Sequence, residues 1–142
     1  MTVQRVFISY EHESGLGIAE KIAAYLEERG RECWYWERDN TAGAHTWDEI
    51  AEALVASDYV VFVVSEGSKA STGQKTEISI AINVGRRRLV AAVDLDMRPA
   101  SLLGVNATTL TDGVEKACDR WLKQWERPAP RWTIKKESDP VE

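Results

Sequence analysis

Two rhythms of apolar residues alternate along this chain. Short, nearly continuous apolar runs occur at Val6-Phe7-Ile8, Cys33-Trp34-Tyr35-Trp36, Tyr59–Val64 and 89–93. Between them lie longer stretches in which apolar positions recur every three or four residues. The runs read as strands buried on both faces, the stretches as amphipathic helices. Strands are expected at Arg5–Ser9, 32–36, Tyr59–Val64 and 89–93, with a weaker fifth at 106–110.

The first helix is expected over 15–29, with Ile18, Ala19, Ile22, Ala23 and Leu26 on one face and Gly30 in the C′ position. A polar loop, 37–45, leads to a second helix opened by a capping-box pattern, Thr46-x-x-Glu49. Its apolar face is Trp47, Ile50, Ala51, Leu54 and Val55, which assigns Trp47 to the core. Ser71-x-x-Gln74 opens a third helix, running to about residue 85. Residues 97–105 are expected to be irregular. Asp112-x-x-Glu115 caps a last helix whose inner face is Val114, Ala117, Cys118, Trp121, Leu122 and Trp125.

Strands alternating with helices imply βαβ units with right-handed crossovers. The expected fold is α/β and flavodoxin-like: three layers, with a five-stranded parallel sheet in the order 2-1-3-4-5 and helices on both faces. Pro128, Pro130 and Pro140 with Lys135-Lys136-Glu137 change the composition. This suggests one domain over 1–127 and a tail or linker over 128–142.

Composition narrows the function. With 142 residues and 44% apolar content the chain suits one globular domain. No apolar run approaches the length of a membrane span, and no signal-peptide core follows Met1, so a cytoplasmic protein without membrane partners is expected. The net charge is −5, and Arg86-Arg87-Arg88 is the only basic cluster. That argues against nucleic acid as a partner and suits a helix C-terminus, where cations complement the dipole. Cys33 and Cys118 form no paired motif and read as buried thiols.

In an open parallel sheet of this order, ligands bind at the carboxyl ends of strands one and three. Glu77 falls there, early in the helix after strand three. Its carboxylate can face a bound molecule, or it can simply favour the helix N-terminus electrostatically. Response-regulator chemistry needs an aspartate ending strand three, but Ser65 stands there. A flavin phosphate would be repelled by Tyr10-Glu11-His12-Glu13. Val63-Val64-Ser65-Glu66-Gly67 is no nucleophile elbow. His12 and His45 are the only histidines and do not form a paired-ligand motif, so no metal is expected.

Four segments stand in order over 5–125. They are Val6-Phe7-Ile8-Ser9-Tyr10; Trp34-Tyr35-Trp36 with Arg38-Asp39 and Gly43; Ala53-x-x-Ala56-Ser57-Asp58 leading to Val63-Val64-Ser65; and Ser71 with Glu77-Ile78-x-x-Ala81. Together they resemble the TIR domain, of the bacterial, NAD-cleaving kind. The resemblance implies an NAD+ glycohydrolase or ADP-ribosyl cyclase acting in anti-phage defence or nucleotide signalling. NAD+ would be the substrate, and no cofactor is implied. Glu77 would be catalytic. Ser9 and Tyr10 would line the crevice, Trp36 at the end of strand two would stack on a ring, and Ser71 would add a ribose contact to its capping role. Asp39 and Gly43 belong to a loop that would meet a neighbouring subunit and help to close the site. Partners would be other TIR domains, with a fused sensor or downstream effector. The alternative is a non-catalytic adaptor that binds other TIR domains. One departure stands out: Glu11 and His12 occupy positions where some family members carry an arginine pair. Phosphate contacts would then fall to backbone N–H groups of a helix starting near Gly15, or to other side chains.

Overall fold

The computed structural model describes residues 3–93 and 97–126. The segment 128–142, expected as a tail, lies outside them. Five parallel strands form one sheet in the order β2-β1-β3-β4-β5. Three of them are long: β1 (Arg5–Ser9), β3 (Tyr59–Val64) and β4 (Arg87–Ala92). The outer β2 (Glu32–Trp34) and β5 (Ala107–Thr109) have three residues each. The helices are α1 (His12–Glu28), α2 (Trp36–Asp39), α3 (Thr46–Ala56), α4 (Thr72–Asn83) and α5 (Val114–Glu126).

Strand parity divides the core into two layers. Val6 and Ile8 of β1, with Val61 and Val63 of β3, pack against Ala19, Ile22 and Leu26 of α1 and Cys118 and Trp121 of α5. Phe7, Val60, Phe62 and Val64 point the other way, onto Ile50 and Leu54 of α3 and Ile78 and Ala81 of α4. Each such fully buried aliphatic or phenyl group contributes about 1.5–3 kcal/mol of transfer free energy. Both cysteines are free and buried, and burial pushes each thiol up to about 12.

Several boundaries differ from the sequence expectation. Helix α1 starts at His12, ahead of Gly15, because Glu11 caps it: its carboxylate accepts from the Ser14 N–H. Strand β2 stops at Trp34, because Asp39 Oδ2 accepts from the Tyr35 N–H at 3.0 Å and turns the chain into α2. Trp36 therefore opens a short helix rather than ending a strand. Thr46 is not a cap; α3 follows His45, and Glu49 accepts from the Thr41 N–H instead. Helix α5 begins two residues beyond Asp112, after Gly113 at φ +103. Arg87 and Arg88 belong to β4, and Gly85 at φ +69 separates them from α4. Arg86 donates to the Val55 carbonyl, so its cation serves the last turn of α3 rather than of its own helix. The stretch around 97–105 contains a short 3-10 turn, Ala100–Leu102, which buries Leu102 in the second core layer.

Candidate active site

The parity that sends Phe7 toward α3 and α4 also sends Ser9 that way. Ser9 is fully buried at the end of β1, paired in register with Phe62. Across from it, α4 presents Gln74, Glu77, Ile78 and Ala81 to the sheet, one stripe at helical spacing. Glu77 thus occupies a core-facing position and is only 9% exposed. The Ser9 hydroxyl donates to Glu77 Oε1 at 2.6 Å. Burial pushes the Glu77 carboxyl up to about 7, and the Ser9 hydrogen bond opposes that rise.

A cleft of about 290 Å³ opens beside this pair. It is lined by Tyr10 from the end of β1, His12 at the start of α1, and Trp36 of α2. Thr46, Trp47 and Ile50 of α3 form one wall; Ser71, Gly73, Gln74 and Glu77 form another. Ser71 caps α4 through a bond from the Gln74 N–H at 3.1 Å. The Tyr10 hydroxyl accepts from the Glu37 N–H at 3.0 Å, which pins α2 over the cleft. A smaller crevice of about 190 Å³ lies at the opposite, amino-terminal edge of the sheet, beside Arg5, Glu32 and Trp34.

The structure therefore gathers Glu77, Ser9, Tyr10, Trp36 and Ser71. It does not bring Asp39 or Gly43 to the cleft. The Asp39 carboxylate is engaged by the Tyr35 N–H and the Arg38 guanidinium, which also bonds Glu27 and the Cys33 carbonyl. Gly43 lies at φ +84 in an exposed turn, where its missing side chain relieves backbone strain. Trp47 corrects the expectation in the other direction. It is 39% exposed and lines the cleft rather than the core. Gln74 was also missed as a site residue. Its signal was present: it shares the 74, 77, 78, 81 stripe, where an apolar residue would serve packing better.

A second cluster sits on the α1 side of the same sheet edge. Glu11 Oε2 accepts from the Ser14 N–H at 2.8 Å and the Ser14 hydroxyl at 2.6 Å. Ser14 Oγ also lies 2.7 Å from Ser65 Oγ and accepts from the Gly67 N–H. These bonds hold the Glu11 carboxyl below its ordinary range. The start of α1 is thus filled by the chain's own carboxylate, and the Gly15 N–H donates to the Glu11 carbonyl. The Ser14 N–H, one of the donors expected for phosphate at that helix start, is therefore engaged by Glu11.

Among the described residues no group of His, Cys, Asp and Glu is arranged to hold a metal ion. No helix among them is long and apolar enough to cross a membrane.

A family model for the TIR domain matches residues 6–126. The chain is similar to the stimulator of interferon genes protein of Magallana gigas, at 28% identity over 138 residues. That alignment takes in 92% of this chain and 33% of the relative, so the chain spans about a third of the relative's length. Among solved structures it is similar to a metazoan TIR-STING receptor from C. gigas, at 26% identity and a TM-score of 0.71, over 87% of this chain and 39% of that one. A CMP N-glycosidase from Clostridium botulinum has a similar fold, at 16% identity and a TM-score of 0.63, over 86% of this chain and 99% of the other.

Proposed function

The chain belongs to the TIR domain family, and we propose that it cleaves the bond between ribose and nicotinamide in NAD+, with Glu77 as the catalytic carboxylate. The observation that carries this reading is Glu77 itself, buried at the edge of an aromatic-walled cleft with the Ser9 hydroxyl on one of its oxygens.

The chemistry suits a single carboxylate. Breaking the glycosidic bond builds positive charge on the ribose, as in an oxocarbenium ion. Nicotinamide leaves from a cationic ring, so no acid is needed to protonate it. A carboxylate fixed in a cleft beside the ribose stabilises the developing charge without reorganising at the moment of reaction. Trp36 and Trp47 offer flat apolar faces to the ring. Ser71 reaches toward a ribose hydroxyl. Water attacking the sugar gives ADP-ribose; an internal base nitrogen gives the cyclic product. A protein named as a CMP N-glycosidase has a similar fold, so this architecture is compatible with breaking a base–ribose bond.

At about 290 Å³ the cleft is at the lower end of ligand-pocket sizes. It would hold one nucleoside half of NAD+, and among the described residues His12, 3.6 Å from the Glu37 carboxylate, is its only basic lining residue. The rest of the dinucleotide extends outward, where a second TIR domain would cover it and neutralise its phosphates. Self-association would then switch activity on, with a fused sensor or effector domain supplying the trigger in a cytoplasmic signalling or anti-phage role. Asp39 at the end of α2 and Gly43 in the turn after it would serve that contact from outside the cleft.

The test is direct. Purified chain at high concentration is incubated with NAD+, and free nicotinamide is followed by chromatography. Release is expected, falling by about 100-fold or more in Glu77→Ala. Equal release by the two proteins removes Glu77 from the reaction. No release even from artificially clustered wild type leaves the adaptor reading, in which this surface only binds other TIR domains.

A further inference from the structure

Gln74 is 1% exposed, and it stands one helical turn before Glu77 on the inward stripe of α4. Its Nε2 donates to the Val63 carbonyl at 3.0 Å and to the Ser9 carbonyl at 3.3 Å. These two carbonyls come from neighbouring strands, at the point where the strand order reverses. Because two acceptors face the nitrogen, the orientation of the amide is fixed by its surroundings. The other end of the group, Oε1, is buried and has no hydrogen-bond partner among the described residues. A buried acceptor left unpaired is costly, and a methionine or leucine would fill the same volume without it. Packing alone therefore does not call for a carboxamide here.

The bonds form a relay. Ser71 caps α4 on the Gln74 N–H; the Gln74 side chain grips the Ser9 main chain; the Ser9 hydroxyl reaches Glu77. We propose that Gln74 is a positioning residue for Glu77 that acts through Ser9: its carboxamide clamps the carboxyl ends of β1 and β3 and so fixes the Ser9 hydroxyl on the carboxylate. This deepens the NAD+-cleaving reading, on which its value to the reaction rests, but it can be tested on the carboxyl alone.

A hydroxyl donating to a carboxylate favours the charged form. Loosening Ser9 should therefore push the Glu77 midpoint further up. Other groups near the carboxyl are few. Among the described residues Tyr10, just after β1, and His12 of α1 are the other titratable side chains lining the cleft, and Glu37 of α2 faces both, its carboxylate 3.6 Å from His12 Nδ1. Helices α2 and α3 present Trp36, Thr46, Trp47 and Ile50 there, none of which titrates.

The experiment is a carbon-13 NMR titration of the Glu77 side-chain carboxyl in the folded chain. It compares wild type, Ser9→Ala, Gln74→Met and the double variant. The wild-type midpoint is expected at about 7. Ser9→Ala should raise it, and Gln74→Met should raise it by roughly half a pH unit. The double variant should match Ser9→Ala, since Gln74 has nothing left to act through. Gln74→Asn keeps the carboxamide but is too short to reach both carbonyls, and it replaces Gln74→Met if that variant does not fold. An unmoved midpoint in a folded Gln74 variant overturns the proposal. So does a double variant showing the sum of the two single shifts. Loss of the NAD+ reading, with these shifts intact, would leave the clamp standing as a property of the carboxyl.

Discussion

Glu11 and Glu77 flank the same end of the same sheet, and their surroundings drive them apart. Glu11 accepts from a helix N–H and a serine hydroxyl at the start of α1, and its carboxyl is held down. Glu77 is buried behind α4 with one serine hydroxyl for company, and its carboxyl is pushed up to about 7. Both belong to acidic positions next to helix starts, where sequence alone suggests the same dipole-based role. The difference lies in which face of the helix each occupies. Glu11 precedes its helix and meets orphan N–H groups. Glu77 is inside its helix, beyond those groups, on the stripe that faces the sheet. One carboxylate closes its own helix start; the other stands buried beside a cleft, where burial favours its protonated form.

The largest break in this contrast should come from Glu77→Gln. The folded Glu77 carboxyl lies at about 7 against an ordinary 4.5, so the folded state binds more protons between those values. Stability from this group is present below pH 4.5 and is lost as pH rises through 7. Replacing the acid with its neutral isostere should therefore raise stability by about 3 kcal/mol near pH 8 and hardly at all near pH 4. Urea unfolding at the two pH values checks the sign. A variant less stable than wild type at the higher pH would mean that the carboxylate is better solvated than its burial implies.

Glu11 should behave in the opposite sense, with a smaller effect. Its lowered carboxyl stabilises the fold at neutral pH, and that contribution disappears as pH falls below its ordinary range. Glu11→Ala should cost about 1 kcal/mol at neutral pH through loss of the helix cap. Gly67→Ala sharpens the point. A Cβ there would stand 2.4 Å from the Glu11 carboxyl carbon and Oε2, so the side chain must leave its place over Ser14. We expect a cost of about 1 kcal/mol or less, and none in a Glu11→Ala background. Denaturant midpoints of the two single variants and the pair measure it; additive losses would show that Gly67 is needed for some other reason.

The sheet was legible because burial on both faces leaves continuous apolar runs, and Tyr59–Val64 is such a run with both boundaries matched. The caps were only partly legible. Ser71 caps α4 as its pattern says. Thr46-x-x-Glu49 has the same spacing and does not cap, because Glu49 bonds the Thr41 N–H across the turn. Within the site, helical spacing put Trp47 on an apolar face but could not say that this residue of the first turn of α3 lines the cleft instead of the core. Asp39 looked like a binding residue because its loop resembles a known one; its carboxylate instead turns the chain by holding the Tyr35 N–H. Gln74 was hidden by its role as a pattern letter after Ser71, although its place on the buried stripe marked it out. Chemistry that depends on parity could be read from the sequence; chemistry that depends on where an element ends could not.

The most direct measurement is the pH dependence of kcat/KM for nicotinamide release, taken across neutral pH on wild type and Glu77→Gln. The ionised carboxylate is the form that stabilises a developing cation, so the wild-type rate should rise with pH through a midpoint at about 7. The variant should show only a residual rate without that limb. A flat wild-type profile, or the same rise in Glu77→Gln, would contradict the account.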